Sequence, residues 1–405
     1  MNNKREPLFH LVKRVEMKKQ YAWLIRGGAF VLSILVCALV SALLTEKSIG
    51  FFFSNFFKGN FGTTRKIWNL LHDTAILLII ALAVTPCFKM RFWNIGGEGQ
   101  ILMGALGCAV IINFMGGVTN DVWTILVSLV LSIAFGIAWA VIPAIFKAKW
   151  NTNETLLTLM MNYIAVCLVK YFIKSVQPNG TGVLNFDEGV IGAIGGNEFI
   201  LKIIIVAVIT VLVAIYLKYS KHGYELSVVG ESENTAKYVG INTKKVIIRT
   251  LVLCGVICGI TGFLLVSATN HSLNADSTVG GKGFTGVLIS WLAHFNPLAM
   301  VLTSFLYVFI NRGAVQVGNN ARLGASYPAV MTGIFFFFII ATEFFINYKI
   351  VFKKKQHALS DNDGKDGSPE ENEEKQVINE ETAEQIVSEE QEEQTVSEAT
   401  AKEGL

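Results

Sequence analysis

The sequence predicts an all-α, polytopic membrane protein of about ten transmembrane helices, and three observations carry that expectation. Hydrophobic residues make up 52% of the 405 and charged residues 16%, richer in apolar and poorer in charged side chains than a soluble domain. The apolar residues gather in ten runs, several near the roughly 20 residues that cross a bilayer as a helix. Lys and Arg concentrate in alternate connections between those runs, as the positive-inside tendency requires.

Taken in order, a basic segment, residues 1–23, opens with six Lys or Arg. It is too charged, and the apolar run behind it too long, for a cleaved leader, so it is expected to stay attached. A transmembrane domain follows over 24–350. Its apolar runs are Leu24–Leu44, Thr74–Phe88, Gln100–Met115, Val122–Phe146, Glu154–Ile173, Phe199–Leu217, Ile247–Ala268, Gly283–Phe295, Leu298–Asn311 and Tyr327–Tyr348. The second, third, eighth and ninth are short, which predicts helices that are broken, tilted or buried. Pro86 and Pro143 are expected to kink or end their helices. Gly255 and Gly259, with Cys254 and Cys258, form a stripe of small residues that admits a neighbouring helix. All six cysteines lie within apolar runs, where they act as small packing residues and imply no disulfide framework.

With the N-terminus placed inside, the inner segments carry 20 Lys and Arg and the outer ones 8. That places both termini in the cytoplasm. Residues 356–405 hold 16 acidic side chains against 3 lysines, and this acidic tail is expected to be disordered. The rest of the chain, with 31 basic and 15 acidic residues, suits an anionic membrane surface, so nucleic acid need not be invoked.

Between the sixth and seventh runs lies a polar segment, 218–249. Within it Ser232 can cap a helix, Glu233 complements its first turn, Lys237 its last, and Gly240 supplies a left-handed exit. A two-turn helix is marginal alone, so it takes its order from the spans behind it or from a partner. Read as composition only, the segment is an ordinary basic loop; the reading adopted is that it docks.

Gly96-Gly97-Glu98-Gly99 precedes the third run and Gly280-Gly281-Lys282-Gly283 the eighth. The derived topology puts the first at the inner end of its span and the second at the outer end. The pair reads as inverted repeats, spans 2–5 and 7–10, with glycine-broken helices at matching positions, or as coincidence between two glycine-rich breaks.

No catalytic constellation is visible. The six histidines are scattered without metal-ligand spacing, and Gly281-Lys282 lacks the glycines and hydroxyl of a nucleotide-binding loop. The chain is therefore expected to be no enzyme and to hold no cofactor; if ATP drives it, another polypeptide binds the ATP. Two polar clusters open apolar runs. One is Asn94, Gly96, Glu98 and Gln100, and the other is Asn153, Glu154 and, two turns on, Asn162. They line a polar path for a hydroxylated solute, or, for Asn153 and Glu154, simply cap a helix. Asn162 faces the bundle interior or the path, because an unpaired amide in a span is costly.

At these residues the sequence resembles a known family, the membrane permease subunits of ATP-binding-cassette importers for simple sugars and nucleosides, which includes ribose and branched-chain amino acid permeases. The resemblance lies in Phe92-Trp93-Asn94-Ile95-Gly96-Gly97-Glu98-Gly99-Gln100, in Asn153-Glu154 with Thr158 to Ile164, in Gly223 to Ile241, and in Gly283-Phe284 to Asn296-Pro297. The Asn94 to Gln100 run is most similar to the nucleoside branch. The outer loop, with Pro178 as its one proline, and the acidic tail depart from the pattern. The resemblance implies a multi-pass protein of a bacterial plasma membrane that imports a nucleoside or simple sugar. It implies pairing with a second permease, identical or distinct, and delivery of solute by an extracytoplasmic binding lipoprotein. It also implies a cytoplasmic ATPase gripping Gly230, Glu231, Ser232, Ala236 and Gly240 as a coupling helix. The rivals are an ion-coupled secondary transporter, disfavoured by how few ionisable residues (Asp73, Glu98, Glu154, Glu343) the spans hold, and a membrane scaffold that docks through its acidic tail.

Overall fold

The computed structural model describes residues 9–13, 19–192 and 197–352. The acidic tail and much of the basic N-terminal segment lie outside them. Contacts divide the chain into two units, 1–12 with 350–405, and 13–349. What is described of the first belongs to two strands, β1 (Phe9–Lys13) and β4 (Tyr348–Phe352), which pair in a two-stranded sheet.

The second unit is helical. In chain order it holds α1 (Lys19–Thr45), α2 (Ile49–Phe61), α3 (Thr64–Lys89), α4 (Gly97–Met115), α5 (Asp121–Trp150), α6 (Glu154–Val176), strand β2 (Leu184–Asn185) and α7 (Ile200–Tyr219). Next come α8 (Lys221–Glu231), α9 (Glu233–Tyr238) and α10 (Thr243–Phe263), which runs on into a π-helical turn (Leu264–Asn270). Strand β3 (Ser272–Leu273), α11 (Lys282–Leu292), α12 (Pro297–Ala321) and α13 (Tyr327–Asn347) complete it. Among the described residues nine helices are long and apolar enough to cross a membrane. The chain is an all-α multi-pass membrane protein, as expected.

Of the four short runs, three belong to longer helices, and two of those, α3 and α4, are mostly buried, as expected. α3, α4 and α12 have 26, 19 and 25 residues, because polar residues such as Lys66, His72 and Arg312 sit inside the helices and hide their ends from a hydropathy count. Pro86 and Pro143 lie within α3 and α5 without ending either. The eighth run alone gives a short helix, α11, with 11 residues. The helix α2, capped by Ser48, falls in a stretch read as a loop; Phe52 and Phe56 stack on it and bury against α12 and α13.

α3, α4 and α10 form the centre. α10 packs on α5 and α4, and α3 on α11 and α12. The expected small-residue stripe makes the closest approach. A Cβ on Gly259 would stand 2.6 Å from the Ile133 backbone, and one on Gly104 2.8 Å from Gly259, so α4, α5 and α10 touch backbone to backbone. Ser132 Oγ sits 2.6 Å from the Gly104 carbonyl and 2.8 Å from that of Gly259. Exchanging α3 with α10, α4 with α11 and α5 with α12 turns packed pairs into packed pairs, the relation that inverted repeats require. The fourth helices differ, since α6 packs on α4 whereas α13 packs on α1 and α12.

The chain alternates between two ends of the bundle. At one end lie α8 and α9; at the other β2 and β3 pair antiparallel, Leu184 with Leu273 and Asn185 with Ser272. After β3 the chain turns back inward and starts α11 part-way down. This overturns the expectation that the two glycine runs mark opposite ends of the bundle, because the second run is carried inward by residues 274–281 and meets the first.

Candidate functional site

At the α8–α9 end, residues 218–249 form two helices where the sequence pointed to one. Ser220 caps α8, its Oγ accepting from Gly223 N at 2.9 Å. Gly230 lets α8 lie against the end of α3, since a Cβ there would meet the Lys89 carbonyl at 2.3 Å. Arg249 of α10 donates to Glu225 of α8 at 2.8 Å, and its guanidinium holds the Glu225 carboxyl below the usual carboxylate range. α9 is built as the residues predict. Ser232 Oγ accepts from Thr235 N at 3.2 Å, Glu233 and Lys237 occupy its first and last turns, and Gly240 leaves at φ 81°. Ala236 is buried beneath it, while Tyr238 is 92% exposed.

Of the residues expected to meet an ATPase, Glu231 and Gly240 face outward, Ser232 caps the helix, and Gly230 and Ala236 point into the fold. Beside them a cavity of about 220 Å³ is lined by Lys147, Glu154, Glu231, Ser232 and Glu233. Lys147 and Glu154 pair across its edge at 2.9 Å. Glu154 thus belongs to this end of the molecule, and Asn153 caps α6 by accepting from Leu156 N at 3.1 Å. For these two the capping geometry predominates over a path lining.

The amides read as path residues fold inward. Asn94 is fully buried; its amide and that of Gln100 face each other at 3.3 Å in both directions, and Asn94 Oδ1 also accepts from Gly96 N. Cys254 Sγ lies 3.3 Å from Asn94 Nδ2 and 3.2 Å from Gln100 Oε1. Asn162, 5% exposed, donates to the Ile95 carbonyl at 3.0 Å and accepts from Gly99 N at 2.8 Å. A Cβ on Gly96 would stand 3.0 Å from Thr158, a tight fit. Asn94, Gly96, Gln100 and Asn162 therefore pin the turn that starts α4. Buried amides satisfy one another and the backbone, a geometry that spacing in sequence does not reveal.

Glu98 is different. Half-buried in the first turn of α4, it accepts from Gly281 N at 2.8 Å and Gly283 N at 2.7 Å, one bond to each carboxylate oxygen. Thr85 meets Ser290 at 2.9 Å, a separation of 205 residues, and Gly286 meets Ala81 at the same offset. That register sets Gly281 level with Ile76, the middle of α3. Gly280 and Gly281, at φ 64° and 77°, are exposed there, and Lys282 adds a charge next to Glu98. Non-helical backbone and charges at that depth are tolerated against protein or water, not against lipid. The bundle thus presents a polar face half-way through its thickness. Arg312 of α12 donates to Asp73 of α3 at 2.8 Å, toward the end where α7 begins, since the neighbouring His72 packs on Phe199 and meets Thr269.

Sequence reasoning found Glu98 but gave it to a cluster it does not share, and it missed Arg312, which was assigned to a loop. The signal was present in part: Glu98 and Lys282 hold the third place of the two matching glycine runs. Of the other ionisable candidates, Glu343 pairs with Arg26 at 2.9 Å.

A family model described as branched-chain amino acid transport system / permease component matches residues 66–342, more than half of the chain. The guanosine ABC transporter permease protein NupP of Bacillus subtilis is 24% identical over 338 residues, covering 82% of this chain and 96% of its own length. The glucose ABC transporter permease protein TsgB13 of Haloferax volcanii is 25% identical over 355 residues, 81% of this chain and 90% of its own. The protein MG120 of Mycoplasma genitalium is 26% identical over 322 residues, 73% of this chain, and the match spans 60% of its length.

Proposed function

From the premise that this chain belongs to the branched-chain amino acid transport system permease family, a family of transporter subunits rather than enzymes, we propose that it conducts an uncharged polar solute, a nucleoside or simple sugar, into the cytoplasm. The observation that carries the proposal is the polar face at mid-depth, where Glu98 joins the starts of α4 and α11. Relatives named for guanosine and for glucose resemble the chain about equally. What their solutes share is hydroxyl groups and no charge.

In this reading the α8–α9 end faces the cytoplasm and a separate ATPase seats on Tyr238, Glu231 and the cap around Ser232. A second permease covers the mid-depth face, and an extracytoplasmic binding protein delivers solute at the β2–β3 end. Force applied to α9 reaches α8 through their shared turn, and α10 and α3 through Arg249 and Gly230. Those contacts support a coupling role because each joins the exposed segment to a central helix.

The test is uptake into proteoliposomes holding the chain with its operon partners. Labelled guanosine or glucose should accumulate with ATP and stay out when the ATPase is absent or catalytically dead. Accumulation driven by a proton or sodium gradient without ATP would establish an ion-coupled transporter instead.

A further inference from the structure

We propose that Glu98 is a specificity residue whose carboxylate occupies the anion position at the start of α11, closing the path to anionic solutes while leaving it open to uncharged polar ones. The inference deepens the reading of this face as a path and rests on it.

A helix start carries unpaired N–H groups and partial positive charge, and so draws anions. In α11 no side chain of its own caps that end, and the free donors of Gly281 and Gly283 both point at Glu98. α4 begins at the same place, with Gly96 at its cap, no side-chain cap, and Glu98 in its first turn. Two helix starts therefore converge on one carboxylate, with Lys282 beside them in sequence.

Backbone contact fixes the arrangement. A Cβ on Gly283 would stand 2.6 Å from Glu98 N, so the starts of α4 and α11 lie backbone to backbone and hold the Gly281 and Gly283 donors beside Glu98. A phosphate or carboxylate on a passing solute meets donors already taken and a like charge, whereas a hydroxyl can still donate to Glu98. Remove the carboxylate and the same donors, with Lys282, become an open anion site.

The experiment uses the full chain with its partner subunits in nanodiscs and reads binding of radiolabelled inorganic phosphate, which needs no transport. Wild type should show no saturable binding. Glu98→Ala should bind phosphate at least tenfold above wild type, Glu98→Gln should bind less than Glu98→Ala and more than wild type, and adding Lys282→Ala to Glu98→Ala should reverse the gain. If Glu98→Ala does not fold, Glu98→Gln, which keeps the shape and one acceptor, carries the comparison. Phosphate binding equal to wild type in a folded variant overturns the proposal, as does saturable binding by wild type itself. A chain that gains phosphate binding in Glu98→Ala yet moves no guanosine or glucose with ATP would lose the transport reading, not the anion position.

Discussion

Arg249, in the second turn of α10, donates to Glu225 of α8 at 2.8 Å and ties the exposed two-helix segment to the centre of the bundle. Glu225 lies outside the spanning helices, Arg249 sits near the end of one, and the pair is partly wet, so its strength is that of a good surface ion pair. Because Glu225 titrates below its usual range when folded, its contribution is full above the ordinary glutamate pKa, near 4.3. It is lost as pH falls through the lower folded value. Hydrogen exchange over 221–231 should thus be steady from pH 8 to 5, corrected for intrinsic rates, and quicken below about pH 4. Arg249→Gln should loosen the same residues by about 1 kcal/mol, roughly fivefold in exchange, and flatten that pH response.

Tyr238→Ala should separate ATP hydrolysis from uptake while leaving the melting temperature within about 1 °C, since its side chain touches little of its own chain. Ala236→Trp should instead unseat α9, because Ala236 is fully buried. A hydrolysis assay run beside uptake and thermal unfolding distinguishes the two. Unchanged uptake in Tyr238→Ala and in Glu231→Arg would remove the coupling role.

Asn162→Leu should lower stability by about 1–3 kcal/mol for each backbone group it abandons, here the Ile95 carbonyl and the Gly99 amide. Asn162→Asp keeps an acceptor for Gly99 N and should cost less in the same unfolding measurement. Equal losses would mean that the site needs the volume of the side chain and not its hydrogen bonds.

Gly259→Ala should destabilise by about 1–3 kcal/mol, the usual cost of overpacking, because the new methyl meets the backbone of Ile133 and Ser132. Gly27→Ala, on the exposed part of α1, meets nothing and should be neutral or slightly stabilising. Thermal unfolding in one detergent compares them directly.

Arg312→Ala should leave Asp73 with His72 as its remaining side-chain partner and cost about 1.5–3 kcal/mol, the range for a hydrogen bond to a charged group. The exchanged pair Asp73→Arg with Arg312→Asp should recover part of it. A double-mutant cycle on melting temperature reads the coupling.

Much of this was legible from residue order alone. Hydropathy located nine spans and the weak tenth, because crossing a bilayer demands a contiguous apolar stretch whatever packs beside it. The Ser232 to Gly240 helix was readable too, since caps act within four residues and need no distant partner. α2 was missed because its phenylalanines share their helix with Asn55, Lys58 and Asn60, and only burial against α12 and α13 makes that mixture a helix face.

Local chemistry thus determined the class of the protein, nine of the ten expected spans and the cap of its exposed helix. Which polar residues close on one another and which bridge helices was decided by the tertiary structure. Asn94, Gln100 and Asn162 look in sequence as available as Glu98, but folding turns the amides onto each other and the backbone and leaves the carboxylate bridging α4 to α11. A hydrogen bond between residues 98 and 283 depends on the descent of a chain segment 185 residues away, and no pattern of neighbours along the chain encodes that distance.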